Sequence, residues 1–419
     1  MKRVFAILLL LALVFSFAAC GENTQQETTE ATTEATTQPT EPKELTPEEK
    51  ILAERREIVV EHMYRNAELL WRAAEDVEYV NNSRTFRFKA GQLYRGMPYT
   101  YAGGTVEGFL DYAGQPDEKG IYTISGITPD SLSGSGREAR MGNDCSSAVV
   151  LAMGQVSTTI TGTSSAKMLP ANGFIPVGDY EYILNEEGVQ PNSGEVIIHN
   201  GLETMYKSYA QLQRGDCAVH IHGNRNHAIL IVDVEVVYNE AGELDPVKSV
   251  VTFVEQTSTA VLSATEGQWD EELGEDVIQI SGIDNKKTFK MLGKEGYLPL
   301  TCQELIDPAP LAETVIEDTE SEFNKDNILV GTITSNRFID SMTMVITDAQ
   351  GAEVQSATAY GSRSSYKTFD LQKFINEAPA KTRGVLDISA LASGSYHCTL
   401  VCRLTTGEEF TARDFDFTV

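Results

Sequence analysis

A candidate nucleophile stands at Cys145, in the run Gly142-Asn143-Asp144-Cys145-Ser146-Ser147-Ala148-Val149-Val150. Asp144 is a strong helix-capping type, so the pattern predicts a short helix from Cys145 to about Met153 with the thiol in its first turn. The unpaired N–H groups and the dipole at that end favour the thiolate, which is the reactive form of the group. The same N–H groups suit an oxyanion. The neighbouring Asp144 carboxylate works against ionisation, although a capping carboxylate is partly neutralised by backbone donors. The same residues also fit a buried structural thiol.

A proton acceptor is found further along. Arg214-Gly215-Asp216-Cys217 is followed by His220, His222 and His227, and then by the apolar stretch from Ala228 to Val237. A histidine just before a strand has a fixed backbone and can turn its ring into a cleft, so His227 is a candidate base. Three of the six histidines fall within eight positions, so a zinc site built on His220 and His222, with Cys145 or Cys217, is an alternative. No short Cys or acidic ligand spacing completes such a set, and no metal or other cofactor is expected. An imidazole base also needs a partner to fix its tautomer. Phe253-Val254-Glu255-Gln256-Thr257 ends the next predicted strand and offers Glu255, whose charge would stabilise an imidazolium. Gln256, on the opposite strand face, is the second choice.

These motifs resemble those of the NlpC-type cysteine peptidases and their CHAP relatives, over roughly residues 90–260. Gly96-Met97-Pro98-Tyr99-Thr100-Tyr101-Ala102-Gly103 is similar to G-x-P-Y-x-W-G-G, Asp144-Cys145-Ser146-Ser147 to D-C-S-G, and Gly215-Asp216 with His227 to the G-D…H-V segment. The resemblance implies a papain-like catalytic domain in which Cys145 is nucleophile, His227 base and Glu255 orienter. Tyr99 would lie beside the thiol, and Asp144, Ser146 and Gln256 would line the substrate site. It also implies a substrate, the stem peptide of peptidoglycan. Ser147, Tyr101, Ala102 and Thr257 depart from the family pattern, and about forty residues separate the Tyr99 motif from Cys145.

Those residues must be positioned by a chain of 419 residues, too long for one ordinary domain. The expected fold class is α+β: a catalytic domain followed by a smaller all-β sandwich. Residues 1–19 read as a leader, with Lys2 and Arg3 before an apolar run too short for comfortable membrane spanning. Ser16-Phe17-Ala18-Ala19-Cys20 resembles a lipobox, which implies diacylglycerol on Cys20 and a place on the extracytoplasmic face of the membrane. Residues 20–45, rich in Thr and Glu, read as a disordered stalk. The catalytic domain is assigned to 46–306, opening at the capping box Thr46-Pro47-Glu48-Glu49 with one helix to about Glu75. Residues 78–144 read as irregular. An acidic linker at 307–327 precedes the sandwich at 328–419, for which a spacer or interaction role is the default.

Acidic residues outnumber basic ones by 61 to 33, which excludes nucleic acid as a partner because phosphate binding needs a basic surface. Anionic lipid is excluded on the same ground, so membrane attachment would fall to the Cys20 lipid. Cys398 and Cys402 lie four apart on one predicted strand, facing the same way and too far apart to bridge; they read as small buried hydrophobes. The activity that the NlpC/CHAP resemblance implies is hydrolysis of peptidoglycan amide bonds through an acyl-enzyme. The alternatives are a non-catalytic surface lipoprotein that binds wall peptides or a protein partner, and acyl transfer by the same triad.

Overall fold

The computed structural model describes residues 44–81, 84–127, 141–185, 192–223, 226–258, 266–361, 363, 365–376 and 382–419. The leader, Cys20, nearly all of the stalk and the Ser/Gly-rich stretch at 130–136 lie outside them. No described helix is long and apolar enough to cross a membrane.

Helix α1 (Pro47–Glu68) starts where the capping box predicts: Thr46 Oγ1 accepts from the Glu49 N–H, and the Glu49 carboxylate accepts from the Thr46 N–H. It stops seven residues short of the expected end. Leu70–Ala73 pairs instead as a strand between Leu93–Arg95 and Tyr122–Ile124. Trp71 on that strand is fully buried among Phe88, Tyr94 and Phe109, with its indole N–H donated to the Gly96 carbonyl. Burying that ring and pairing the strand outweigh a continued helical spacing.

The centre of the molecule is a six-stranded antiparallel sheet. Its strands are β1 (Phe174–Pro176), β2 (Cys217–His220), β3 (His227–Glu235), β4 (Val250–Glu255), β5 (Gly282–Thr288) and β6 (Tyr297–Cys302), in spatial order β5-β4-β3-β2-β6-β1. Helix α2 (Cys145–Met153) is buried along its whole length. Its Val149–Met153 segment packs with Val59, Val60 and Met63 of α1 and with Ile229 and Ile231 of β3 in one core. A helix apolar on every side must be covered on every side. The remaining cover comes from Phe338 and Tyr366 of the C-terminal region. Gly154 makes that approach possible, since a Cβ there would come within 2.4 Å of the Phe338 ring.

Residues 78–127 are more ordered than expected. They hold a hairpin (Val77–Asn81 with Arg84–Phe88), two strands of a second, five-stranded sheet and a helix at Val106–Leu110. These strands run three to five residues, too short for an alternating pattern to stand out.

In the C-terminal region a three-stranded sheet (Ile316–Asp318, Thr332–Ser335, Thr368–Asp370) and a five-stranded one, centred on Ile339–Asp348 and Ser395–Leu404, share one core. Cys398 and Cys402 are buried in it as free thiols. Two expectations change here. The interval 307–327 is no loose linker: Arg55 of α1 donates to the carbonyls of Glu304, Asp307 and Ala309, and Ile316–Asp318 is a sheet strand. Nor is the β unit held apart as a spacer. Arg403 pairs with both Asp111 and Asp340, Asp340 accepts from Thr105, and Lys367 donates to the Thr158 carbonyl at 2.5 Å.

Candidate active site

Asp144 caps α2 as the sequence implies. Its Oδ1 accepts from the Ser147 N–H at 2.9 Å and from the Ser146 hydroxyl at 3.1 Å, and its own N–H donates to Ser147 Oγ at 3.0 Å. Cys145 follows as the first helical residue, 4% exposed. Helix geometry turns the first N–H groups, those of Cys145 and Ser146, outward beside the sulfur.

His227 opens β3 and lies directly across from His220 in the pairing with β2. Its Nε2 meets the Glu255 carboxylate, and the Cys145 thiol lies near enough to act on the ring through its charge and as a side-chain partner. The residues 82 positions apart therefore come together. Burial alone would strip His227 of its proton, but the Cys145 sulfur and then the Glu255 carboxylate outweigh it and push the ring up to about 10. Glu255 is pulled the other way: burial disfavours its charge, yet the hydrogen bond and charge of His227, the amide of Asn285 (2.8 Å) and the Lys287 ammonium together hold it below its ordinary value.

The sign of the pH dependence follows. A raised folded pKa on His227 stabilises the fold fully below 6.5, and that contribution is lost as pH rises through about 10. The lowered Glu255 contributes fully above 4.5 and loses its share as pH falls through its depressed folded value. In urea unfolding, the stability difference between wild type and His227→Gln is expected to shrink between about pH 6.5 and 10. A difference that grew with pH would contradict the assignment.

Tyr99 reaches the site from a loop, through an isolated parallel bridge to Asn143, with the Thr100 N–H donated to the Asn143 carbonyl at 3.0 Å. Burial, then the nearby Cys145 and Asp144 charges, raise its phenol far above the ordinary value, so it is a neutral neighbour of the sulfur.

Gln256 does not line the cleft. It is fully buried, its amide donates to the Met97 carbonyl at 2.7 Å and its oxygen accepts from Ser281 at 2.8 Å. Its place is behind the site, where it ties β4 to the Tyr99 loop. Of Glu255 and Gln256, it is Glu255 that meets the His227 ring. Asp144 and Ser146 are likewise buried, and their polar groups are engaged around the cap, which makes them scaffolding for Cys145 in place of substrate contacts.

The other histidines stay apart from a ligand set. His220 is half-buried against Tyr297, with ring centroids 5.8 Å apart, and His222 is exposed. Among the described residues no three His, Cys, Asp or Glu side chains converge to hold a metal ion. Cys217 is fully buried, and that burial, with Asp216 beside it, pushes its thiol well above the usual range.

Three contributors escaped the motif pattern. Asn285 braces Glu255 from β5, across the adjacent strand. Arg56 of α1 pairs with buried Asp216 at 2.8 Å, which gives the Gly215-Asp216 motif its structural purpose. Gly215 itself has φ +86°, and a Cβ there would press on the Arg56 backbone at 3.2 Å. The third is Arg363, which enters from the C-terminal region to meet Asp144 at 2.6 Å. Capping types, spacing and periodicity give no signal for a partner so distant in the chain. No family model, curated protein or solved structure matches this chain.

Proposed function

We propose that this chain is a cysteine hydrolase that cleaves amide bonds of peptidoglycan stem peptides. The observation that carries it is the contact series Cys145–His227–Glu255 at the start of a buried helix. A nucleophile on α2 packed against an antiparallel sheet that bears its base supports the papain-like NlpC/CHAP arrangement implied by the motifs.

In the reaction the Cys145 thiolate attacks the amide carbonyl carbon, and the oxyanion takes hydrogen bonds from the first N–H groups of α2. Protonated His227 gives its proton to the leaving amine as the C–N bond breaks, leaving a thioester on Cys145. Water then attacks the thioester while neutral His227 accepts its proton. Collapse releases the thiolate and the carboxylic acid, which gives its proton to solvent, and the other proton of the water stays on His227. Glu255 holds the ring in place and stabilises its charged form throughout.

The leader and the lipobox-like run ending at Cys20 support a lipid-anchored place on the outer face of the membrane, where this substrate is found. The test is digestion of purified peptidoglycan by the full chain, with the released fragments weighed. A new free amine paired with a new carboxylate at a peptide bond is expected. Intact peptides after incubation, with the peptidoglycan retained on the protein, would point to a binding lipoprotein.

A further inference from the structure

The carboxylate beside the nucleophile poses a chemical problem. Asp144 is needed as the cap of α2, but its charge lies next to the sulfur that must ionise. It is also only 2% exposed, so water screens it little. Backbone and hydroxyl donors engage Oδ1. The other oxygen, Oδ2, meets the Arg363 guanidinium at 2.6 Å.

Arg363 belongs to the C-terminal region, between Tyr360 of the five-stranded sheet and Thr368 of the three-stranded one. Its guanidinium is fixed from several sides. Nη2 donates to Ser146 Oγ at 3.0 Å, Nε to the Thr163 carbonyl at 3.2 Å and Nη1 to the Tyr101 carbonyl at 3.4 Å. Its carbon lies 5.9 Å from the centroid of the Tyr101 ring. Close by, Tyr366 donates its hydroxyl to the Gly103 carbonyl at 2.8 Å. Gly103, at φ +68°, leaves the room: a Cβ there would fall 2.3 Å from that hydroxyl and 2.9 Å from Arg363 Cβ. The Tyr99 loop is thus shaped to receive this part of the C-terminal region.

From these contacts we infer that Arg363 is a positioning residue of the active site, offsetting the Asp144 charge beside Cys145 so that the C-terminal β unit completes the catalytic machinery. The inference rests on Cys145 being the nucleophile. The other titratable groups that face the sulfur are His227 from β3, Tyr99 from its loop and Tyr297 from β6. The tyrosines are neutral, and His227 with its Glu255 partner is common to every variant below. What distinguishes those variants is the balance of one cation against one anion.

The test is the pH dependence of Cys145 alkylation by iodoacetamide in the full chain, read by peptide mapping, with the fold checked by circular dichroism. Arg363→Gln leaves the Asp144 charge unopposed, and the titration midpoint is expected to rise by about one pH unit, roughly a tenfold loss of thiolate below the midpoint. Arg363→Lys keeps a charge and is expected to stay near wild type. Asp144→Asn retains a good capping residue and leaves Arg363 uncompensated, so the midpoint should fall by about one unit. The double variant Asp144→Asn/Arg363→Gln should return close to wild type. Equal midpoints in wild type and Arg363→Gln would overturn the proposal, as would a rise that Asp144→Asn fails to reverse. If Arg363→Gln does not fold, Asp144→Asn alone decides: an unchanged midpoint overturns the proposal and a lowered one supports it. Alkylation needs no peptidoglycan, so failure here is distinct from failure to cleave that substrate.

Discussion

Cys145→Ala is expected to lower the release of peptide fragments from purified peptidoglycan by about 10⁴-fold or more, while the chain still folds, as read by circular dichroism. The catalytic loss is large because the acyl-enzyme route disappears with the sulfur, and nothing else at the start of α2 can form the bond. Ser146 is buried and its hydroxyl is engaged between Asp144 and Arg363. The fold is retained because the substitution removes a single sulfur at the end of the helix and the Asp144 cap does not depend on it, while the melt drops by the share of stability that the sulfur supplied through His227. His227 would lose one of the partners that keep it charged, so its titration in Cys145→Ala, followed by NMR, is expected to move down from about 10 toward its ordinary range. Fragment release unchanged in Cys145→Ala would remove the nucleophile from the account.

Arg56→Met is expected to be among the most destabilising substitutions away from the site, by about 3–5 kcal/mol, because it strands the buried Asp216 carboxylate. Arg56 also closes the chain onto itself, donating to the Arg214 and Leu305 carbonyls at 2.8 and 2.9 Å. Burial already raises the Asp216 carboxyl, and the Arg56 charge partly counters this. Without the arginine it would be raised further, so the folded state would bind its proton more tightly than the unfolded chain does. The penalty should therefore be fully present near pH 7 and shrink as pH falls toward the carboxyl range. Urea unfolding at pH 7 and pH 5 measures both the size and the direction. A loss below about 1 kcal/mol, or one that grows on acidification, would show that the pair contributes little.

The site was more legible in the sequence than the frame around it. Asp144 before Cys145 is a local capping signal, and the structure uses it as one. His227 before an apolar run and Glu255 at the end of the next strand are also local patterns, and the β3–β4 pairing brings them together. The pattern failed where tertiary contacts decide. Trp71 turns an apparent helical continuation into a strand, because its ring is buried in an aromatic cluster assembled from distant segments. Alternation predicts Gln256 on the strand face opposite Glu255, but not that it is fully buried there, with its amide on the Met97 carbonyl and away from any substrate. The docking of the C-terminal β unit on α2 through Phe338, Tyr366 and Arg363 leaves no periodic trace, since each is a single residue at a turn or strand end.

The most direct test of the central claim is native-state labelling of the full chain with iodoacetamide at pH 6, mapped by mass spectrometry. Cys217, Cys302, Cys398 and Cys402 are fully buried, and burial raises each of their thiols. Among the described cysteines the label is expected almost wholly on Cys145, and His227→Ala should abolish that selectivity at pH 6 by removing the charge that holds the thiolate. Labelling of Cys145 no faster than an ordinary thiol, which ionises near ~8.5, and indifferent to His227→Ala, would contradict the pairing.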